Sequence, residues 1–231
     1  HKDIERAHIR PAIGEVLINA AVYGTGIAEL IIDETIEYKP AVREMPEMEA
    51  SGMAEYGVEE TTRPIVKMKP ILPKNFLIEP SATCLGSAMG VCIDEMVSKH
   101  SIELLIESGV YRDVDIGGGQ SELGLAKDAE LLSQPEDTVR IKRYYGHVPR
   151  DLLVEAGVDG EDLDDTKFIE AIVVIADGEI LKALANPYMM KDRPIMAFTW
   201  DVVPSRFWGR GVCEKGYMSQ KALDAEMRAR V

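Results

Sequence analysis

Cysteine, histidine and aromatic side chains are scarce in this chain of 231 residues: three Cys, four His, and 6% Phe, Trp and Tyr together. Cys84, Cys92 and Cys213 are odd in number and form no Cys-x-x-Cys pair. They build neither a disulfide framework nor a zinc site, and reduced thiols are the reading they leave. No apolar run approaches the ~18 residues of a membrane-crossing helix; the best, over 169–176, has strand length and contains Glu170. Positive charge is short as well: 26 Lys and Arg stand against 40 Asp and Glu, and 26 − 40 gives −14. A protein that grips nucleic acid presents basic patches that displace counterions. This balance argues against such a grip and suits solubility. An initiator methionine and a signal-peptide pattern are also missing, and the chain opens inside what reads as a helix, which predicts a fragment.

What is present is enough apolar residue, 46%, to bury a core in one large domain or two small ones. Ile4, Ala7, Ile13, Val16, Leu17 and Ala20 follow helical spacing over 1–23. Pro11 is either a kink or the first turn of a second helix, and Gly24-Thr25-Gly26 ends the pattern. A strand is expected from Ile27 toward Tyr38. Residues 39–63, rich in Glu, Met, Pro and Gly, show no period and read as a surface excursion with a short helix over 46–56. Strands are expected over 64–69, 75–80 and 91–97, followed by a helix that Ser98 or Ser101 caps and Gly109 ends. Residues 117–137 open on three glycines and predict a flexible insertion. Residues 139–148 alternate like a solvent-facing strand, and 151–170 reads as an acidic stretch with one short helix and a loop. Asp177-Gly178, set between the apolar runs 168–176 and 179–185, is the sequence of a type I′ hairpin turn. One more strand covers 194–200, a turn region covers 204–211, and a helix runs over 212–231. Strand and helix do not alternate strictly. The sum is α+β: a mostly antiparallel sheet with flanking helices over 1–211, then the start of a long helix at 212.

Few of these residues add up to chemistry. Gly117-Gly118-Gly119 is followed by Gln120-Ser121-Glu122-Leu123, with no lysine where a phosphate cradle needs one. The acidic run from Asp159, with Glu170 at the twelfth place, has the content of a calcium loop but puts Asp164 where the sharp turn requires glycine. His1 and His8 lie near one helix face without a carboxylate partner. His100 or His147 with a nearby acid could serve a hydrolase, but no G-x-S-x-G elbow accompanies them. No catalytic, cofactor-binding or metal-ligating residue is assigned.

The order of the remaining motifs says more. Asp177-Gly178-Glu179-Ile180-Leu181-Lys182-Ala183-Leu184-Ala185-Asn186-Pro187-Tyr188 leads to Arg193-Pro194-Ile195-Met196-Ala197-Phe198, then to Phe207-Trp208-Gly209-Arg210-Gly211-Val212-Cys213-Glu214 and Gln220-Lys221-Ala222-Leu223. Earlier come Tyr23-Gly24-Thr25-Gly26-Ile27, Leu72-Pro73-Lys74-Asn75-Phe76-Leu77-Ile78-Glu79-Pro80-Ser81-Ala82-Thr83 and Gly109-Val110-Tyr111. In this order the chain resembles a portal (head–tail connector) protein of tailed bacteriophages, of the podovirus type, with 39–63 and 117–137 left out of the likeness. The resemblance implies a non-enzymatic subunit of a closed ring, usually twelve-fold, at one capsid vertex of the virion, assembled in the host cytoplasm. It implies a wing-like region followed by the start of a stem helix. The implied partners are copies of itself, the major capsid protein, terminase, head-completion and tail adaptor proteins, and the viral double-stranded DNA that passes through the channel. An acidic surface suits such a conduit, because weak attraction to phosphate means little drag. No DNA-contacting residue follows from the sequence. Lys215, Lys221, Arg228 and Arg230 share their helix with Glu214, Asp224 and Glu226 and are expected to form helix-face pairs. Phe207 and Trp208 are expected in the core. A soluble hydrolase and another virion adaptor protein are the competing readings.

Overall fold

The computed structural model describes residues 8–42, 56–114, 138–159 and 165–230. In chain order the elements are α1 (Ile9–Tyr23), β1 (Thr25–Val42), β2 (Tyr56–Ile71), a 3-10 turn (Pro73–Asn75), β3 (Phe76–Ile78), β4 (Gly90–Ser98) and α2 (Lys99–Glu107). They continue with β5 (Thr138–Pro149), α3 (Arg150–Glu155), β6 (Phe168–Ala176), β7 (Glu179–Ala185), a second 3-10 turn (Met189–Lys191), β8 (Ile195–Thr199) and α4 (Val212–Ala229). Every strand pair is antiparallel. The strands form two sheets, β2-β1-β8 and β3-β4-β5-β6-β7. The fold is α+β with four helices among the described residues, the last of them long, as the periodicities predict.

The five-stranded sheet is built on β5. Residues 139–148 alternate as expected over their first half, with Val139 and Ile141 buried and Arg140 and Lys142 exposed, and β5 is the central strand of its sheet. Acids meet its two arginines: Asp94 and Glu95 from β4, and Glu29 from β1 of the other sheet. The β6–β7 turn has Asp177 at φ 48° and Gly178 at φ 92°, the two positive values that a type I′ turn requires. Helix α2 buries Ile102 against Val139, Ile141, Val174 and Leu181. Ser98 holds its N-cap position without a side-chain cap bond. The short α3 seats Leu153 on Ile169, Ala171 and Val173. The acidic stretch contains one short helix, as read, residues 160–164 lie outside the described residues, and β6 begins at Phe168.

The three-stranded sheet departs most from expectation. Residues 39–42 and 56–63 are not an excursion: they continue a long hairpin in register from Ile27↔Ile71 out to Val42↔Tyr56. Pairing is a property of two distant segments, and an acidic, proline-bearing composition hides it. The short helix expected over 46–56 lies mostly outside the described residues, and Tyr56 belongs to β2. Strand β8 supports β1 over Thr25–Glu29 alone. Pro11 stands in the first turn of α1; residues 1–7 lie outside the described residues, as do 117–137.

Two of the glycine motifs meet. A Cβ on Gly24, which has φ 94°, would sit 2.2 Å from the Gly209 carbonyl oxygen, and one on Gly209 would sit 2.5 Å from that of Gly24. Thr25 Oγ1 accepts a 2.8 Å bond from the Gly209 N–H, and the Trp200 N–H donates to Gly24 O at 2.9 Å. Gly211, the N-cap of α4, lies against the Val22 carbonyl at the end of α1. Backbone packs on backbone here, and only glycine leaves the room. Beside this contact, Phe207 stacks on Phe76 at 6.0 Å with Trp208 edge-on at 5.2 Å to Phe207. Both belong to the core between the sheets, with Ile27, Val91, Ile93 and Ile195.

Candidate functional site

The candidate that sequence reasoning named, His147, lies in a hollow of about 630 Å³. The β5–β6 register sets it directly across from Glu170, whose side chain is buried. His147 Nδ1 is 3.1 Å from Glu170 Oε2 and 3.3 Å from the Met89 carbonyl oxygen, while its backbone N–H donates to that carbonyl at 2.9 Å. The segment before β8 brings Arg193, which donates to both carboxylate oxygens of Glu170 at 2.6 and 3.2 Å. Arg193 also donates to the carbonyls of Leu85 and Met89 at 3.0 and 3.1 Å. Met190 and Lys191, with φ of 61° and 55°, fold the chain over the rim.

The chemistry of this arrangement is mostly structural. A bidentate guanidinium–carboxylate pair inside a sheet boundary fixes geometry, because each partner compensates the other's lost hydration. Both Glu170 oxygens are engaged. Thr166 is the hydroxyl on the lining, and it donates to the Phe168 carbonyl at 3.1 Å. Among the described residues, His147 makes no hydrogen bond to a Ser, Thr or Cys side chain that it could activate as a nucleophile.

A second polar cluster joins the two sheets. Glu29 on β1 is 2% exposed. Tyr145 donates its hydroxyl to Glu29 Oε1 at 2.6 Å. Arg143 Nη2 lies 2.9 Å from Glu29 Oε2 and 2.8 Å from Glu95 Oε1. That nitrogen sits between two carboxylates but off the hydrogen-bond line of either, so the contact is a charge contact. Lys69 of β2 reaches Glu95 from the other side. Burial and then the Glu29 carboxylate push the Tyr145 hydroxyl far above its ordinary value. This cluster was not found from sequence. Arg143 and Glu29 are 114 positions apart, and nothing short of the strand order brings them together.

The other residues singled out from sequence do not converge. His100 is exposed and 4.0 Å from Glu103, one turn along its own helix. His8 is exposed at the start of α1, and His1 lies outside the described residues. Glu170 takes no part in a calcium loop: Arg193 and His147 hold it, while Asp165 pairs with Arg150 at 2.9 Å. Among the described residues, no group of three or more His, Cys, Asp or Glu is placed to hold a metal. The three cysteines are free. Hydrogen bonds from Ser87 hold the exposed Cys84 thiol below its usual value, and burial pushes the Cys92 thiol up.

Two exposed surfaces are apolar. Helix α4 has no buried residue, and Tyr217, Met218, Leu223 and Met227 are 60, 72, 53 and 61% exposed. Its basic residues do not pair along the helix face as expected. Lys215 binds Asp201 at 2.7 Å, off the helix, while Lys221, Arg228 and Arg230 meet no acid among the described residues. Residues Ile32, Ile36, Tyr38, Val58 and Val66 of the β1–β2 hairpin are also at least half exposed. No protein-family model and no curated protein matches the chain.

Proposed function

We propose that this chain is a structural subunit of a ring-shaped viral portal, at one capsid vertex, and that it is not an enzyme. The observation that carries the reading is α4: eighteen residues of regular helix with no side chain buried in its own chain, yet with a bulky apolar residue on most turns. A helix of that kind is marginal alone in water and is held by a partner. In a cyclic assembly the partner is the next copy. The motif order supports the same reading, and two of the motifs that carry the likeness, at Gly24 and at Gly209, form one contact. The proposed ring, usually twelve-fold, works as a passive channel for genome packaging and ejection. The major capsid protein, terminase and the head-completion and tail adaptor proteins dock on it, and it resides in the virion after assembly in the host cytoplasm. The net charge of −14 keeps DNA from adhering to the channel wall.

Negative-stain microscopy of the protein tests this. Closed rings of one diameter are expected; a strictly monomeric product at high concentration refutes it. The hydrolase reading keeps one observation in its favour, the 3.1 Å contact between His147 and Glu170 inside a hollow. Ester turnover that His147→Ala abolishes would establish that reading in place of the portal.

A further inference from the structure

The hairpin of β1 and β2 has two open edges beyond its support by β8. The β8 pairing stops at Ile195 opposite Glu29, and one more bond, from the Leu30 N–H to the Pro194 carbonyl at 2.8 Å, closes it. From Ile32 outward, β2 is the single neighbour of β1 among the described residues. The Leu30 bond also fixes which way the main chain points. Successive residues of a strand turn their N–H and C=O to opposite sides, so the even-numbered residues of β1 face away from β2. The register pairs even with even, so the even-numbered residues of β2 face away from β1. Pro64 and Pro70 stand at such positions, where a missing N–H costs the hairpin's own ladder nothing. Glu34 stands at another, and its N–H meets only the Asp33 carboxylate, at 2.9 Å. The N–H groups of Ile32, Ile36 and Tyr38 on β1, and of Val58, Glu60 and Thr62 on β2, have no partner among the described residues. A ribbon of two strands is marginal in water, and a long free edge is a template for a further strand.

The hairpin itself carries the matching strand. Over 32–42, β1 has one base and three acids, 1 − 3 = −2; over 56–71, β2 has three bases and two acids, 3 − 2 = +1. Two β1 edges repel and so do two β2 edges, whereas β1 of one copy and β2 of another attract. Strand direction agrees: β1 and β2 are antiparallel, so hairpins set side by side in one orientation bring β1 against β2 antiparallel. Side-chain parity agrees as well. Outward-pointing residues pair with outward-pointing ones, so the exposed Ile32, Ile36, Tyr38, Val58 and Val66 continue as one apolar face from copy to copy. Strand β8 fills the base of the β1 edge, and Pro64 and Pro70 lie toward the base of the β2 edge. The contact is thereby confined to the outer runs 32–38 and 58–62, both free of proline. We propose that β1 of one copy pairs with β2 of the next along these runs, so that the hairpins of successive copies form one continuous antiparallel sheet. One edge then meets a different edge of the next copy, the heterologous contact from which a ring closes. This inference rests on the ring reading above and supplies its subunit contact.

The test removes single N–H groups and reads the concentration at which the protein assembles. Ile36→Pro takes an outward donor from β1 and Thr62→Pro takes one from β2, each at a position of the same parity as Pro64, which the hairpin's own ladder tolerates. Either variant is expected to raise the assembly concentration about tenfold. Ile36→Val keeps the donor and is expected to leave that concentration within about twofold of the starting protein. Amide exchange in the starting protein gives a second reading: the segments 32–38 and 58–62 are expected to exchange about tenfold more slowly once assembled. It replaces either proline variant whose monomer unfolds early. Rings that ignore both prolines, or an assembly that leaves exchange in these segments unchanged, overturn this contact and leave the ring standing. A starting protein that never leaves the monomer overturns the ring reading itself, and this contact with it.

Discussion

Strands β5 and β1 are both long and both charged, and the molecule treats them in opposite ways. Strand β5 has a neighbour on each side, β4 along Thr138–Gly146 and β6 along Ile141–Pro149. Acids from three strands meet its polar side chains: Asp94 meets Arg140, Glu95 and Glu29 meet the largely buried Arg143, the latter from the other sheet, and Glu170 meets His147. Strand β1 has such company only as far as Glu29, after which β2 alone accompanies it and its apolar side chains face water. The first region is complete within one chain. The second leaves Ile32, Ile36, Tyr38, Val58 and Val66 at least half exposed. Charge in a strand therefore says little about exposure until the strand's neighbours are known.

The comparison can be broken most sharply at Arg143. Arg143→Met leaves Glu29 and Glu95 facing each other in a desolvated joint, and a loss of about 3 to 4 kcal/mol is expected in urea unfolding at neutral pH. A loss below about 1 kcal/mol would mean that the joint is not a compensated charge cluster. Leu181→Ala, fully inside the α2 side of the five-stranded sheet, is expected to cost about 3 kcal/mol in the same experiment. Tyr145→Phe is expected to cost about 1 kcal/mol and to change the alkaline limb. The folded Tyr145 holds its proton to higher pH than the unfolded chain does. Its contribution is therefore whole below about pH 10 and is lost as pH rises beyond that value. Melting temperatures taken from about pH 8 to 11 should fall less in the Phe variant. The smallest effect is reserved for the hairpin: Ile36→Ser with Val58→Ser should move monomer unfolding by less than about 0.5 kcal/mol and yet weaken self-association. A large loss of monomer stability there would erase the contrast between the two strands.

What could be read from sequence follows the same division. The β6–β7 hairpin was legible because Asp177-Gly178 is local turn chemistry, and α4 was legible because its period is local too. The place of β5 was not, since the acids that neutralise its arginines come from β4 and β1. The outer hairpin was not, since Glu44 to Glu60 looks like loop composition and the pairing of β1 with β2 spans the gap. Sequence marks His147 as a candidate base and Glu170 only as the twelfth place of a calcium-loop pattern that fails on spacing. Their meeting depends on the β5–β6 register, and Arg193 enters from the chain before β8. The glycine motifs were read as two separate turns; that they are one contact is a fact of tertiary structure, although a pair of Gly-x-Gly sequences, one after a helix and one before a helix, was the signal available.

That contact has a mechanical meaning. At the root of α4 the touching atoms are main-chain atoms of residues 24 and 209, with Thr25 Oγ1 holding the Gly209 N–H. Side chains can swivel between rotamers to absorb a small displacement; peptide planes in van der Waals contact cannot. The root of α4 is therefore seated on the end of α1 and the start of the first strand, so the helix is anchored to the body and not hung from it by a tether.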